Sequence, residues 1–193
     1  MLDFVKRKIP IKFKIKFKRF IRDLWQSIAY LATRKKIDIK NINHIVFVCT
    51  GNICRSSFAE YLLRKKIEHR QIRIESCGLD VTQAVCSPIE AVIAGEAHCV
   101  DLRAHRSKSV DECDLTNADL IIPMDYGHYY RLISIYPEYK TKIKLLRDFM
   151  KKPYGLICNI HDPFGLDQNE FNNCFKNIKF CLDGIIKIYY SDI

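Results

Sequence analysis

Acidic residues are scarce at the start of this chain. Residues 1–43 hold 3 Asp/Glu against 13 Lys/Arg, a net +10, while the remaining 19 acidic and 19 basic residues cancel. Such a segment directs attention to anionic partners. Long apolar runs are also missing: none approaches the ~20 residues of a membrane span. A secretory signal is lacking, because charges recur every second or third position at the start with no apolar core. Internal repeats and low-complexity tracts are absent after residue 43. The nine cysteines (49, 54, 77, 86, 99, 113, 158, 174 and 181) are odd in number and irregular in spacing. They lack the pattern of a disulfide framework, and reduced thiols in a cytoplasmic enzyme are expected. A chain of 193 residues suits one domain, 44–193, with an extension, 1–43.

What is present is concentrated between residues 46 and 60. Val46-Phe47-Val48 runs into Cys49, then Thr50-Gly51-Asn52-Ile53-Cys54, then Arg55-Ser56 at the head of a helix. Phosphate-ester cleavage by sulfur needs a thiolate, and a free cysteine is mostly protonated at neutral pH. Backbone N–H groups of the loop can converge on one point as an anion nest. The N-terminal end of the helix near Ser56 adds positive potential. Arg55 supplies a planar fork for two phosphate oxygens. Gly51 and Asn52 suit the positive-φ turns expected of a tight loop. Ser56 is placed to donate to the Cys49 sulfur. Cys-x5-Arg alone also fits a buried strand-end cysteine beside an unrelated arginine; the strand before, the helix after and Gly-Asn inside favour the catalytic reading.

The leaving oxygen needs a proton. His161-Asp162-Pro163-Phe164-Gly165 offers an acid in a turn just before the last helix. Pro163 biases Asp162 toward an extended conformation and Gly165 permits a sharp turn. On its own this is an ordinary loop; it gains meaning from the need for an acid at Cys49.

Together, Cys-x-Gly-Asn-x-Cys-Arg-Ser near a first strand and Asp-Pro-Phe-Gly near the end resemble the low-molecular-weight protein tyrosine phosphatases. Intermediate matches are Ser76 and Gly78, Val100-Asp101-Leu102, His105-Arg106-Ser107-Lys108, and Ala118 through Asp125. The resemblance spans about 44–190. It implies Cys49 as nucleophile, Arg55 as phosphate binder, and Asp162 as general acid and then base for the hydrolytic water. It also implies that Ser76 and His105 lock Asn52, that Cys49 and Cys54 form a reversible protective disulfide, and that no cofactor or metal is required. A small packing residue is the other reading of Cys54. Through the bacterial members it implies a tyrosine kinase of polysaccharide export as target.

Two departures bear on the substrate. Cys77 stands where a small residue is usual, and Leu79 to Gln83 lacks the aromatic that often lines one wall of the cleft, leaving Phe164 for the other. A branch of the family that acts on phosphoarginine carries threonine at the position of Ile53. A bulky aliphatic there narrows the cleft against a flat ring, which favours phosphotyrosine, with phosphoarginine as the alternative. Arsenate reduction needs two further cysteines a few residues apart, and after Cys113 none follows before Cys158.

Apolar runs predict strands at 44–49, 71–76, 118–123 and 142–146. Helical spacing predicts helices at about 56–69, 87–98, 126–136 and 168–189, the last with Phe171, Phe175, Ile178, Cys181, Leu182 and Ile185 on one face. The expected fold is α/β: an open four-stranded parallel sheet with helices on both faces and the phosphate loop after the first strand.

In the extension, Ile11, Phe13, Ile15 and Phe17 alternate with lysines at a period of two. From Phe17 the period becomes helical: Phe17, Phe20, Ile21, Leu24, Ile28 and Leu31 share a face flanked by Trp25, with Lys18, Arg19, Arg22, Gln26 and Ser27 opposite. This pattern predicts an anionic membrane surface as partner through residues 11–31, holding the enzyme at the inner face of the membrane. A helix docked on the domain, or an arm that orders on a partner, is the alternative. No nucleic-acid partner is expected. A silent catalytic fold serving as an adaptor is a second function class, opposed by the retention of Cys49, Arg55, Ser56 and Asp162.

Overall fold

Side chains alternate across a strand, so one short segment sets the layers of the whole molecule. In β1 (His44–Cys49), Ile45, Phe47 and Cys49 join one buried cluster, whereas Val46 and Val48 join another on the opposite face. Both faces are covered, which is why the strand reads as an unbroken apolar run. The computed structural model describes residues 11–34, 42–69, 71–150 and 157–190. Residues 1–10 and 35–41 of the extension lie outside the described residues, as do 191–193 and the side chains of residues 11–13, 15 and 16.

The chain runs through α1 (Ile11–Thr33), β1, α2 (Arg55–Lys66), β2 (Arg73–Gly78), α3 (Ile89–Glu96), β3 (Leu120–Pro123), α4 (Tyr126–Ile135) and α5 (Gln168–Tyr190). The sheet is parallel, in the order β2-β1-β3, with Val46 opposite Glu75 on one side and Ile121 on the other. Helices α2, α3 and α5 cover one face; Phe58 of α2 stacks on Phe175 of α5 with ring centroids 3.9 Å apart. Tyr129 and Leu132 of α4 and Tyr30 of α1 cover the other.

The sheet has three strands among the described residues, not the four expected. Segment 142–146 makes a single bridge, Ile143 to Ile121, with Ile121 N–H donating to the Lys142 carbonyl and Lys144 N–H to that of Ile121 (both 2.9 Å). The next donor along β3 would be Pro123, which has no N–H. Pairing stops there, and Leu146–Phe149 turns into a 3₁₀ helix. The second strand also begins two residues later than expected, and α3 is shorter at both ends.

The alternating start of the extension is helical from Ile11 onward, not extended. A two-residue period contains i, i+4 pairs by construction, so it is compatible with a helix when no sheet edge is offered. Helix α1 then docks by an unexpected side. Asp23, Ser27 and Tyr30 are buried among its described side chains, while Phe17, Phe20, Ile21, Leu24, Ile28 and Leu31 are exposed, with Trp25 at 68%. Ser27 Oγ accepts from the Cys158 N–H (3.0 Å), and Asp23 Oδ1 accepts from Asn159 Nδ2 (3.0 Å). The Tyr30 hydroxyl donates to Asp148 and accepts from the Leu145 N–H (3.1 Å), and Arg34 pairs with Asp148. No described helix is long and apolar enough to cross a membrane.

Candidate active site

Cys49 is the last residue of β1, and the chain turns there into α2 through five residues. The turn depends on Asn52, which sits at φ 52° in the left-handed region. That conformation costs an L-residue about 1–2 kcal/mol, and four hydrogen bonds hold it. Asn52 Nδ2 donates to Ser56 Oγ (2.9 Å) and Ser76 Oγ (2.7 Å), while its Oδ1 accepts from the Lys108 N–H (3.0 Å). His105 Nε2 donates to its carbonyl (2.6 Å). Ser76 and His105 thus stand where the resemblance implied. Gly51, expected to share the positive-φ role, does not: its φ is not in that region. Gly78 matters for space instead, because a Cβ there would lie 2.5 Å from the Thr50 carbonyl oxygen.

The Cys49 sulfur receives the Asn52 N–H at 3.2 Å and lies 3.0 Å from Ser56 Oγ. Ser56 Oγ accepts from Asn52, and its own proton can go to the sulfur or to the Cys77 carbonyl, 3.4 Å away. Helix α2 has no side-chain cap at Cys54. Its first-turn N–H groups, which have no intrahelical partner in any helix, are thus not taken by a capping side chain either, the arrangement that suits a bound anion.

Arg55 is buried and braced: Nη1 donates to Asp125 (3.0 Å) and the Ile160 carbonyl (3.1 Å), and Nη2 to Asp162 (2.5 Å). Burial works against its charge, but Cys49, Asp162 and Asp125 more than offset this and hold its pKa above the ordinary value. Asp162 is 46% exposed at the rim, where its Oδ1 accepts the Phe164 N–H (3.2 Å). Gly165 supplies the turn with φ 77°. A cavity of about 180 Å³ brings together Cys49, Thr50, Gly51, Ile53, Cys54, Arg55, Asp162 and Phe164, with Asn52 and Ser56 buried beneath. Every residue predicted to bind or act is in the cavity or directly supports it.

The nine cysteines are free thiols, Cys49 and Cys54 included. Burial and the neighbouring Cys49 push the Cys54 thiol well above the ordinary range.

Sequence reasoning missed a second layer. Asp125 caps α4 by accepting the His128 N–H (3.0 Å) and braces Arg55 with its other oxygen. Burial alone would raise its pKa; His128 and Arg55 hold it well below the usual carboxylate range. His128 Nδ1 lies 3.0 Å from Asp125 Oδ1. Its Nε2 reaches Thr50 Oγ1 at 2.8 Å. An aspartate just ahead of a predicted helix is an N-cap signal, and Asp125 could have been found by it. Glu60, which accepts from Ser76 Oγ at 2.5 Å, carried no such signal.

The size of the cavity and the groups lining it set the class: phosphate-ester hydrolysis through a sulfur nucleophile. The sequence pattern of the low molecular weight phosphotyrosine protein phosphatases matches residues 44–188, and the chain belongs to that family. It is 31% identical over 129 residues to the low molecular weight protein-tyrosine-phosphatase Wzb of Escherichia coli K12, covering 67% of this chain and 83% of that protein. A low molecular weight protein tyrosine phosphatase from T. tengcongensis superimposes with a TM-score of 0.68 at 30% identity, over 75% of this chain and 97% of its own. The YwlE arginine phosphatase of Geobacillus stearothermophilus superimposes at 0.70 with 25% identity, over 78% and 94%.

Proposed function

We propose that the protein hydrolyses phosphotyrosine in protein substrates in two steps at Cys49. The Cys49 thiolate attacks phosphorus, the bond to the phenolic oxygen breaks, and Asp162 delivers its proton to that oxygen. Asp162 then takes a proton from water as the water oxygen bonds to phosphorus and the sulfur–phosphorus bond breaks, releasing phosphate. Arg55 grips two equatorial oxygens through both steps, and the phosphoryl group competes with Asp162 for Nη2. Ser56 stabilises the departing sulfur. The observation that carries this reading is that Cys49, Arg55 and Asp162 converge on one small cavity whose apolar walls are Ile53 and Phe164. A flat ring fits between such walls.

Turnover of an aryl phosphate by native protein and by Cys49→Ser tests the chemistry: the substitution is expected to leave background hydrolysis only. Equal turnover would end the mechanism and favour the adaptor. Asp162→Asn is expected to lower kcat about 10²–10⁴-fold for a poor leaving group, the usual contribution of a general acid. Likeness to an arginine phosphatase makes phosphoarginine the competing substrate. Native protein is expected to prefer phosphotyrosine, and Ile53→Thr to shift activity toward phosphoarginine. The likeness to the protein-tyrosine-phosphatase Wzb supports a phosphotyrosine protein as the substrate, and a tyrosine kinase of polysaccharide export is the candidate that the family resemblance implies.

The extension serves as a peripheral anchor in this reading. Its apolar stripe is exposed even though the helix is docked, and Lys14, Lys18 and Arg22 are exposed beside it. Apolar area plus cationic flanks suits an anionic lipid surface, with about 1 kcal/mol for each Lys or Arg near it. Trp25 is the single tryptophan of the chain, so its emission reports insertion. Phosphatidylserine vesicles are expected to sediment the protein and shift Trp25 emission to the blue, and phosphatidylcholine vesicles are not. Leu24→Glu with Ile28→Glu should abolish both effects; unchanged binding would exclude the stripe.

A further inference from the structure

We propose that helix α1 adds a second anion-binding subsite beside the catalytic cradle, which selects phosphotyrosine peptides carrying another anionic group close to the phosphotyrosine. The inference rests on the phosphotyrosine reading above. A cavity of about 470 Å³ is bordered by Arg19, Arg22 and Gln26 of α1 on one side and by Thr50, Arg55 and Asp162 on the other. Those last three residues also border the cradle, so the two cavities adjoin. The cradle has room for a phosphoryl group and part of a ring; the adjoining space takes a neighbouring side chain of the same peptide.

The two arginines supply the charge. The Arg22 side chain is 59% exposed and reaches one oxygen of Asp23, at 3.2 Å, which Asn159 shares. Arg19 has no acidic partner among the described residues. Of the carboxylates nearby, Asp125 and Asp162 are tied to Arg55, and Asp23 is buried beneath the helix. Burial, then the neighbouring Arg19, holds the His161 pKa below the ordinary value, so this ring adds little charge of its own. Guanidinium groups bind carboxylate and phosphate alike through paired N–H donors.

Their position is set by contacts that do not use them. Asp23 binds Asn159 and lies 3.2 Å from His161, and Ser27 binds Cys158, all within four residues of Asp162. The helix is thus held against the segment that carries the proposed acid, and Arg19 is free of any structural ion pair among the described residues. The family match begins at residue 44, so this wall lies ahead of it.

The test compares kcat/KM for phosphotyrosine peptides that differ at one flanking position: Glu, a second phosphotyrosine, or Gln. Native protein is expected to favour either anionic peptide over the Gln peptide by about tenfold, the scale of one charge-assisted contact. The two anionic arms separate carboxylate from phosphate as the preferred group. High salt should shrink the preference. Arg19→Gln with Arg22→Gln should bring the ratio near one, and Arg19→Lys with Arg22→Lys should retain most of it. A native ratio of one, a ratio insensitive to salt, or one unchanged in the Gln variant overturns the subsite. No turnover of any of these peptides by native protein overturns the phosphotyrosine reading itself.

Discussion

Helices α1 and α5 are both 23 residues long and both amphipathic, yet they meet the domain by opposite faces. Helix α5 buries Phe171, Phe175, Ile178, Cys181, Leu182 and Ile185, the stripe its spacing announces. Helix α1 buries Asp23, Ser27 and Tyr30 and leaves its apolar stripe in solvent. Amphipathicity establishes that a helix has two faces; it does not establish which one docks. For α5 the sheet offers an apolar surface made by Ile45, Phe47 and α2. The surface available to α1 presents backbone N–H groups at Leu145 and Cys158, the Asn159 amide and Asp148, which only polar side chains satisfy.

The contrast can be broken first by truncating each stripe. Phe175→Ala is expected to cost about 3–5 kcal/mol, as for other buried aromatics, whereas Leu24→Ala should stay within about 0.5 kcal/mol. Urea unfolding measures both, and a large loss for Leu24→Ala would mean that the stripe is covered in solution. Removing the polar contacts of α1 should matter more than removing its apolar ones. Tyr30→Phe leaves the Leu145 N–H and Asp148 without the hydroxyl and should cost about 1–3 kcal/mol. Asp23→Ala releases Asn159 and His161 and should lower kcat about tenfold through misplacement of Asp162, with little change in KM. An unaltered kcat would separate α1 from the chemistry.

The smallest expected effect is a pH dependence shared by the two regions. His105 beneath the cradle and His161 beside α1 are both held below the ordinary histidine pKa, chiefly by burial. The unfolded chain therefore takes up protons first as pH falls. Stability from these groups is present above the unfolded value of about 6.5 and declines below it. The urea midpoint should fall between about pH 7.5 and 5.5, and His105→Gln should flatten that slope. A flat native profile would remove the histidines from the account.

What was legible in the sequence was local. Residues 49–56 form the cradle because a strand end, a left-handed Asn and a helix start are consecutive, so few conformations can join them. Asp162, the proposed acid, was singled out through the same economy, in a Pro/Gly turn, and the fold brings it to Arg55. The bracing of Arg55 by Asp125 was not legible, because the two are 70 residues apart and meet only when β1 and β3 pair. The fourth strand failed at Pro123, a residue on the partner rather than in the segment predicted.

By itself the sequence determined the nucleophile's setting, the parallel α/β core, the basic extension and the helical stripe of α5, since each follows from periodicity or from neighbours in the chain. Only the tertiary structure decided that 142–146 adds no fourth strand, that α1 docks by its polar face, and that its arginines border a cavity beside the cradle. Those outcomes depend on which hydrogen-bonding groups the folded domain leaves at its edges, and no local pattern carries that information.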